Sequence, residues 1–259
     1  MAEIVVVPTQ QDAGRLVAAA IWRLVDSDAA PVLGVATGST PLAVYAELAA
    51  TRGDRDLSGL TAFALDEYVG LGPEHPQSYR QTLMREFAAP LGLDPRQVVV
   101  PDGDPHGLAD AGAAFEAAIV EAGGVGLQLL GIGTDGHVGF NEPGSSLASR
   151  TRVKTLTEAT RRDNARFFDT VDEVPIHCVT QGLGTIREAR HLILLAFGAG
   201  KADAVAAAVE GPVSASTPGS IIQLHPHVTV VLDAAAAGLL SRLEYYRRAW
   251  ENKPAWQPI

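Results

Sequence analysis

Short runs rich in valine, leucine and isoleucine recur along the chain with little polar alternation. They are Ile4–Val7, Val32–Ala36, Thr61–Leu65, Val98–Val100, Leu127–Ile132, His191–Phe197 and Val228–Leu232. A strand that faces solvent on one side alternates in polarity, so strands without alternation are expected to be buried on both faces. Between them lie longer segments with helical patterning: Asp12–Val25, Pro41–Ala50, Pro76–Ala89, Leu108–Ala122, Lys201–Val209 and Ala234–Trp250. Strands alternating with helices predict an α/β fold, with a mostly parallel, Rossmann-like sheet covered by helices on both faces. At 259 residues the chain suits one such domain, spanning 1–259. The segment 145–180 breaks the alternation, is rich in Arg and Thr, and is expected to form a lid.

The apolar fraction of 47% and charged fraction of 19% are those of a globular protein. A net charge of −10 excludes a general affinity for nucleic acid or an anionic membrane, which needs a basic face. It leaves room for a small anionic substrate, which needs only a local cation and backbone N–H groups. Cys178 is the single cysteine, so no internal disulfide forms and CxxC metal spacing is absent; a place in the core is expected. No signal-peptide pattern or membrane-spanning apolar stretch is present, which predicts a cytoplasmic protein.

In parallel α/β sheets ligands bind beyond the carboxyl ends of the strands, so the loops there are the candidate sites. Thr37-Gly38-Ser39-Thr40-Pro41 follows one strand and precedes a helix. Small residues and hydroxyls in that place suit a phosphate, and equally an ordinary capped turn. Asp66 and Glu67 end another strand, where an acid can act as general base or simply cap a helix. Gly133-Thr134-Asp135-Gly136-His137-Val138-Gly139-Phe140-Asn141-Glu142 follows a third. There a histidine lies between two carboxylates, a pattern for proton transfer. Metal binding is the alternative for such a trio, although no second histidine stands at helical spacing. Arg161, Arg162, Arg166 and Lys201 supply late positive charge. Lys201 opens a helix, where an anion is favoured.

Taken together these blocks resemble the glucosamine-6-phosphate deaminase family. The resemblance runs through TGSTPLAVY (37–45), LDEYVGL (65–71), HPQSYR (75–80), GTDGHVGFNEPGSSLASRTRVKTLT (133–157), NARFF (164–168), AFGAGKADAVAAAVEG (196–211) and LHPHVTVVLD (224–233). The 6-phosphogluconolactonases share the histidine loop and the acidic strand end. Val138 to Pro143 after the histidine, and Tyr68 after the acids, have the deaminase form. Thr134 departs from it, standing where Asn is frequent.

The resemblance implies a ribose-5-phosphate-isomerase-type sheet and a reaction without metal or other cofactor. The reaction is an aldose–ketose isomerisation of glucosamine 6-phosphate with loss of ammonia, part of amino-sugar catabolism. The implied catalytic set is Asp66, Asp135, His137 and Glu142. The substrate's phosphate is implied at Gly38, Ser39, Thr40, Arg166 and Lys201. Arg152 and Lys154 lie two apart and would point the same way in an extended segment. In allosteric members of the family, positions matching Ser145, Arg152, Lys154 and Thr155 hold N-acetylglucosamine 6-phosphate between subunits of a hexamer. A tyrosine matching Tyr245 comes from the neighbour, so a homo-oligomer is also implied. The C-terminal tail around Tyr245 otherwise diverges from that pattern. A lactonase and a non-catalytic sugar-phosphate sensor are the alternative functions.

Overall fold

The computed structural model describes residues 2–254, 256, 257 and 259. Among these residues ten strands are present: β1 (Glu3–Val6), β2 (Val32–Val35), β3 (Thr61–Ala64), β4 (Asp66–Tyr68), β5 (Val98–Val99), β6 (Leu127–Leu130), β7 (Arg152–Thr155), β8 (His177–Thr180), β9 (His191–Ala196) and β10 (Val228–Leu232). Seven form one sheet in the order β1-β10-β9-β6-β2-β3-β5, with every pairing parallel. These are the seven expected from the apolar runs. Of the inner strands, β2, β6, β9 and β10 are buried at every position and β3 at all but Thr61, which explains why they show no alternation. Removing those side chains from water is the main stabilising contribution of the core, about 25 cal/mol per Å² of apolar surface.

The other three strands were not expected. They form a small antiparallel sheet, β4-β8-β7, in which Asp66 pairs with Thr180 and Arg152 pairs with the same residue from the other side. This sheet anchors the expected lid segment at both ends through β7 and β8. Between them lie the helix Glu158–Asn164 and two short 3₁₀ turns, Ala165–Phe167 and Val171–Glu173. Cys178 is buried in a second apolar cluster with Tyr68, Phe140, Leu156 and Val174.

Two helix expectations need correction. The segment Ala234–Trp250 is helical only from Leu243 to Glu251; residues 234–242 form turns. Asp233 accepts the N–H groups of Ala236 and Gly198, and Gly238 follows, so local capping defeats the helix preference of the alanines. The expected helix Pro76–Ala89 begins at Tyr79, where Ser78 caps it by accepting the Gln81 N–H. It continues through a π-helical turn at Met84–Ala88 to Leu91. The helices Gln10–Ser27, Leu42–Thr51, Leu108–Glu121 and Ala202–Val209 match their expected positions within a few residues. Among the described residues no helix is long and apolar enough to cross a membrane.

Candidate active site

Four neighbouring strands, β9, β6, β2 and β3, deliver their C-terminal loops to one cavity of about 670 Å³. Its lining includes Gly38, Ser39 and Thr40 after β2, Asp66 after β3, His137 after β6, and Lys201 after β9. Arg166 reaches the same cavity from the segment between β7 and β8, within the expected lid. Chain order scatters these residues and sheet order gathers them. Asp135 and Glu142 stand behind His137 and touch it.

The adjacent acids at the end of β3 have opposite fates. Successive side chains of a strand point to opposite faces, and both acids lie on β4. Asp66 and Tyr68 face the cavity. Glu67 turns away and accepts three backbone N–H groups, from Tyr68 at 2.8 Å, Tyr79 at 2.9 Å and Arg80 at 2.9 Å. Glu67 thereby holds the first turn of the helix at Tyr79, whose side chain lines the cavity. Of the two readings of the acid pair, Glu67 takes the cap, while Asp66 faces the cavity.

Asp66 is only 6% exposed. Burial, reinforced by the nearby charge of Glu67, pushes its carboxyl up to about 8, against the opposing hydrogen bond of the Phe140 N–H. A carboxylate that resists ionisation in an apolar setting is a strong proton acceptor once ionised. Gly139 makes room for it. Its φ is +55°, and a β-carbon there would come 3.3 Å from Asp66 Oδ2 and 3.1 Å from Thr180 Oγ1. Only glycine meets both the left-handed backbone and the close approach without strain.

The histidine loop is wound tightly. Gly133 N–H donates to His137 O at 2.8 Å, and the imidazole lies directly over Gly133, where a β-carbon would collide with it at 2.3 Å. His137 Nδ1 lies 2.7 Å from Asp135 Oδ1 and 3.7 Å from Glu142 Oε2. Burial opposes the charge on Asp135, but the hydrogen bonds and charge of His137 outweigh it and hold the carboxyl at about 2. Glu142 is 3% exposed. Its Oε1 accepts the hydroxyl of Thr160 at 2.6 Å, and the N–H and hydroxyl of Thr157 at 3.2 and 3.3 Å. Its Oε2 has no hydrogen-bond partner among the described residues. The ligand atoms of Asp135, His137 and Glu142 lie within 4.8 Å of one another, so the trio is compact enough for either proton transfer or a cation.

Of the late cations, Arg166 and Lys201 face the cavity. Arg161 instead folds back onto the carbonyls of Val171 and Val174, and Arg162 pairs on the surface with Glu158. Burial pushes the Lys201 ammonium down, with Asp163 pulling it up and Arg166 adding to the push. An anion between Lys201 and Arg166 would relieve that repulsion. Gly198 takes φ +87° and donates its N–H to Asp233, fixing the loop that presents Lys201.

Arg152 and Lys154 do share the half-buried side of β7, while Val153 and Thr155 face out. Arg152 donates to Asn141 Oδ1 at 2.7 Å. Ser145 is buried, its Oγ without a hydrogen-bond partner among the described residues. Tyr245 lies on the helix Leu243–Glu251, which packs on β1, and its ring meets Tyr246. Thr160, Asp163 and Tyr79 line the cavity without having been singled out from the sequence. Tyr79 sits in the HPQSYR block, and the threonine and aspartate sit in the lid, where no local pattern marks them.

A parallel α/β sheet that brings a buried carboxyl, a histidine set against two carboxylates and the cations Arg85, Arg166 and Lys201 to one cavity defines an acid–base enzyme for a small anionic substrate. Comparison with known proteins narrows the class. Residues 8–231 match the family described as glucosamine-6-phosphate isomerases/6-phosphogluconolactonase. A glucosamine-6-phosphate deaminase of Rhodococcus opacus (strain B4) is 57% identical over 257 residues, covering 98% of this chain and 99% of that protein. A solved structure of a monomeric glucosamine-6-phosphate deaminase superposes with a TM-score of 0.88 at 36% identity, covering 92% of this chain and 99% of the other. The 6-phosphogluconolactonase of Leishmania guyanensis shares the fold with a TM-score of 0.73 at 19% identity, over 92% of this chain and 98% of its own. The chain belongs to the glucosamine-6-phosphate isomerase/6-phosphogluconolactonase family.

Proposed function

We propose that the chain is a glucosamine-6-phosphate deaminase, converting glucosamine 6-phosphate and water to fructose 6-phosphate and ammonia. The observation that carries this reading is the buried Asp66 carboxyl opening onto the same cavity as His137. An isomerisation needs a strong base for a C–H proton and a separate group for the sugar oxygens, and these two supply them. His137, oriented by Asp135 and Glu142, opens the pyranose ring by moving a proton between its oxygens. Asp66 removes the C2 proton to give an enolamine and delivers a proton to C1. Water then adds at C2 and ammonia leaves. The substrate's phosphate lies among Gly38, Ser39, Thr40, Arg166 and Lys201. No metal or other cofactor enters these steps. The enzyme forms a single domain over 1–259 with its lid at 145–180, and acts in the cytoplasm.

The test is a coupled assay for ammonia with glucosamine 6-phosphate, run beside hydrolysis of 6-phosphogluconolactone. Ammonia release without lactone hydrolysis is expected. Lactone hydrolysis alone would make the chain a lactonase, and binding with neither reaction would make it a sensor.

We infer a second sugar-phosphate site from Ser145, Arg152, Lys154 and Thr155, with Tyr245 contributed by a second copy in a homo-oligomer such as a hexamer. The coupling route is short: Arg152 bonds to Asn141, which precedes Glu142. N-acetylglucosamine 6-phosphate is expected to lower the half-saturating substrate concentration, since an activator acts only by differential affinity for two states. Arg152→Ala should lose that response and keep turnover at saturating substrate. Hyperbolic kinetics unmoved by the activator, or a monomer in analytical ultracentrifugation, would remove this second site and leave the deaminase reading standing.

A further inference from the structure

We infer that Thr160 is a positioning residue through which the lid orients the proton relay. The inference rests on the deaminase reading for the roles of His137 and Glu142, but the geometry stands apart from it. Glu142 is buried and can turn about its terminal bond. Which oxygen faces His137 is decided by what holds the other. Among the described residues three groups hold Oε1, all from the lid: the Thr157 N–H, the Thr157 hydroxyl, and the Thr160 hydroxyl, which is nearest at 2.6 Å. Oε2 is left for His137 Nδ1, 3.7 Å away. Thr157 also caps the lid helix by accepting the Thr160 N–H at 3.1 Å. Any displacement of the helix Glu158–Asn164 therefore moves the donors of Glu142.

The same lid segment carries Asp163, Asn164 and Arg166 into the cavity. A phosphate drawn to Arg166 and Lys201 would seat the helix that bears Thr160. Binding energy from the phosphate, remote from the reacting carbons, would thus be expressed at the relay, which raises turnover and not merely occupancy. A hydroxyl in the cavity wall can be a bystander packed against a buried acid. The distinction here is that Thr160 should act only through Glu142.

The experiment is a double-mutant cycle on ammonia release in the full-length protein. Thr160→Val keeps the shape and removes the donor. It should lower kcat roughly tenfold, the scale of a charge-assisted hydrogen bond, with KM changed less than kcat. Thr160→Ser should restore most of the rate. In a Glu142→Gln background, Thr160→Val should cost almost nothing further, because groups acting as a unit are not additive. Losses that multiply in the double variant, or a Thr160→Val enzyme within twofold of wild type in kcat, would overturn the inference. Should Thr160→Val prove unstable, Thr160→Ala read against Thr160→Ser gives the same decision. An inactive wild-type protein would instead refute the deaminase reading itself.

Discussion

Asp66→Asn should lower kcat by roughly 10²–10⁴, the contribution of a positioned general base, and should make the protein more stable at neutral and alkaline pH. Asn has nearly the same shape but cannot accept the C2 proton, so exchange of that proton with deuterated solvent should stop as well. The gain in stability follows from the sign of the Asp66 shift. Its folded value of about 8 lies above an unfolded value of about 3.9. A raised carboxyl contributes its full stability below pH ~4, and loses it as pH rises through the folded value. By pH 7 the loss is on the order of 4 kcal/mol, and Asn avoids it. At roughly 2–4 °C per kcal/mol for a chain of this size, Tm at pH 8 should rise by several degrees. The gap should close as pH falls toward 4. A variant that keeps near wild-type exchange would refute the base assignment, and one that is less stable at pH 8 than at pH 5 relative to wild type would refute the buried-charge account.

Removal of the phosphate cations should give the second large effect. Lys201→Ala and Arg166→Ala are each expected to raise KM roughly ten- to a hundredfold, since a charge-assisted bond to phosphate contributes about 1.5–3 kcal/mol. Unphosphorylated glucosamine should be a poor substrate of the wild type and should be affected less by either change. Equal turnover of glucosamine and its 6-phosphate would remove the phosphate assignment. The two cations differ in setting: Lys201 is held by a loop on the rigid sheet, whereas Arg166 stands on the lid over the Phe167 ring at 4.7 Å. Steady-state kinetics at several ionic strengths should show a stronger salt dependence for the Lys201→Ala enzyme, which loses the cation held by the sheet.

The large sheet was legible in the sequence because burial on both faces leaves an uninterrupted apolar signature. The small sheet was not, for a physical reason. Asp66–Tyr68 is three residues long, and Arg152–Thr155 alternates charged and exposed positions, so neither carries an apolar run. In the loops around the cavity, the rule that ligands bind at strand carboxyl ends pointed to the Asp66–Glu67 pair, His137 and Lys201, and Asp66, His137 and Lys201 line the cavity. The geometry that turns Glu67 away was not legible, because it depends on a helix start twelve residues later. Nor could the rule find Thr160, whose role depends on where the lid folds back. The alanine stretch at 234–242 misled in the opposite sense: strong intrinsic helix preference yielded to the Asp233 cap.

The pairing of β1 with β10 has a consequence for how the protein is made. Glu3–Val6 precedes every other described strand in the chain, yet among the described residues its partner in the sheet is Val228–Leu232, the last of them. β9, which carries the loop of Lys201, likewise stands between β6 and β10. A growing chain can therefore assemble β2, β3, β5 and β6 early while its first strand waits, an unsatisfied edge able to pair with other chains. Pairings this distant in sequence also slow refolding, because the loop must close before any contact repays it. Catalytic activity should then return only with the last, slowest phase of refolding, after much of the helical signal has recovered.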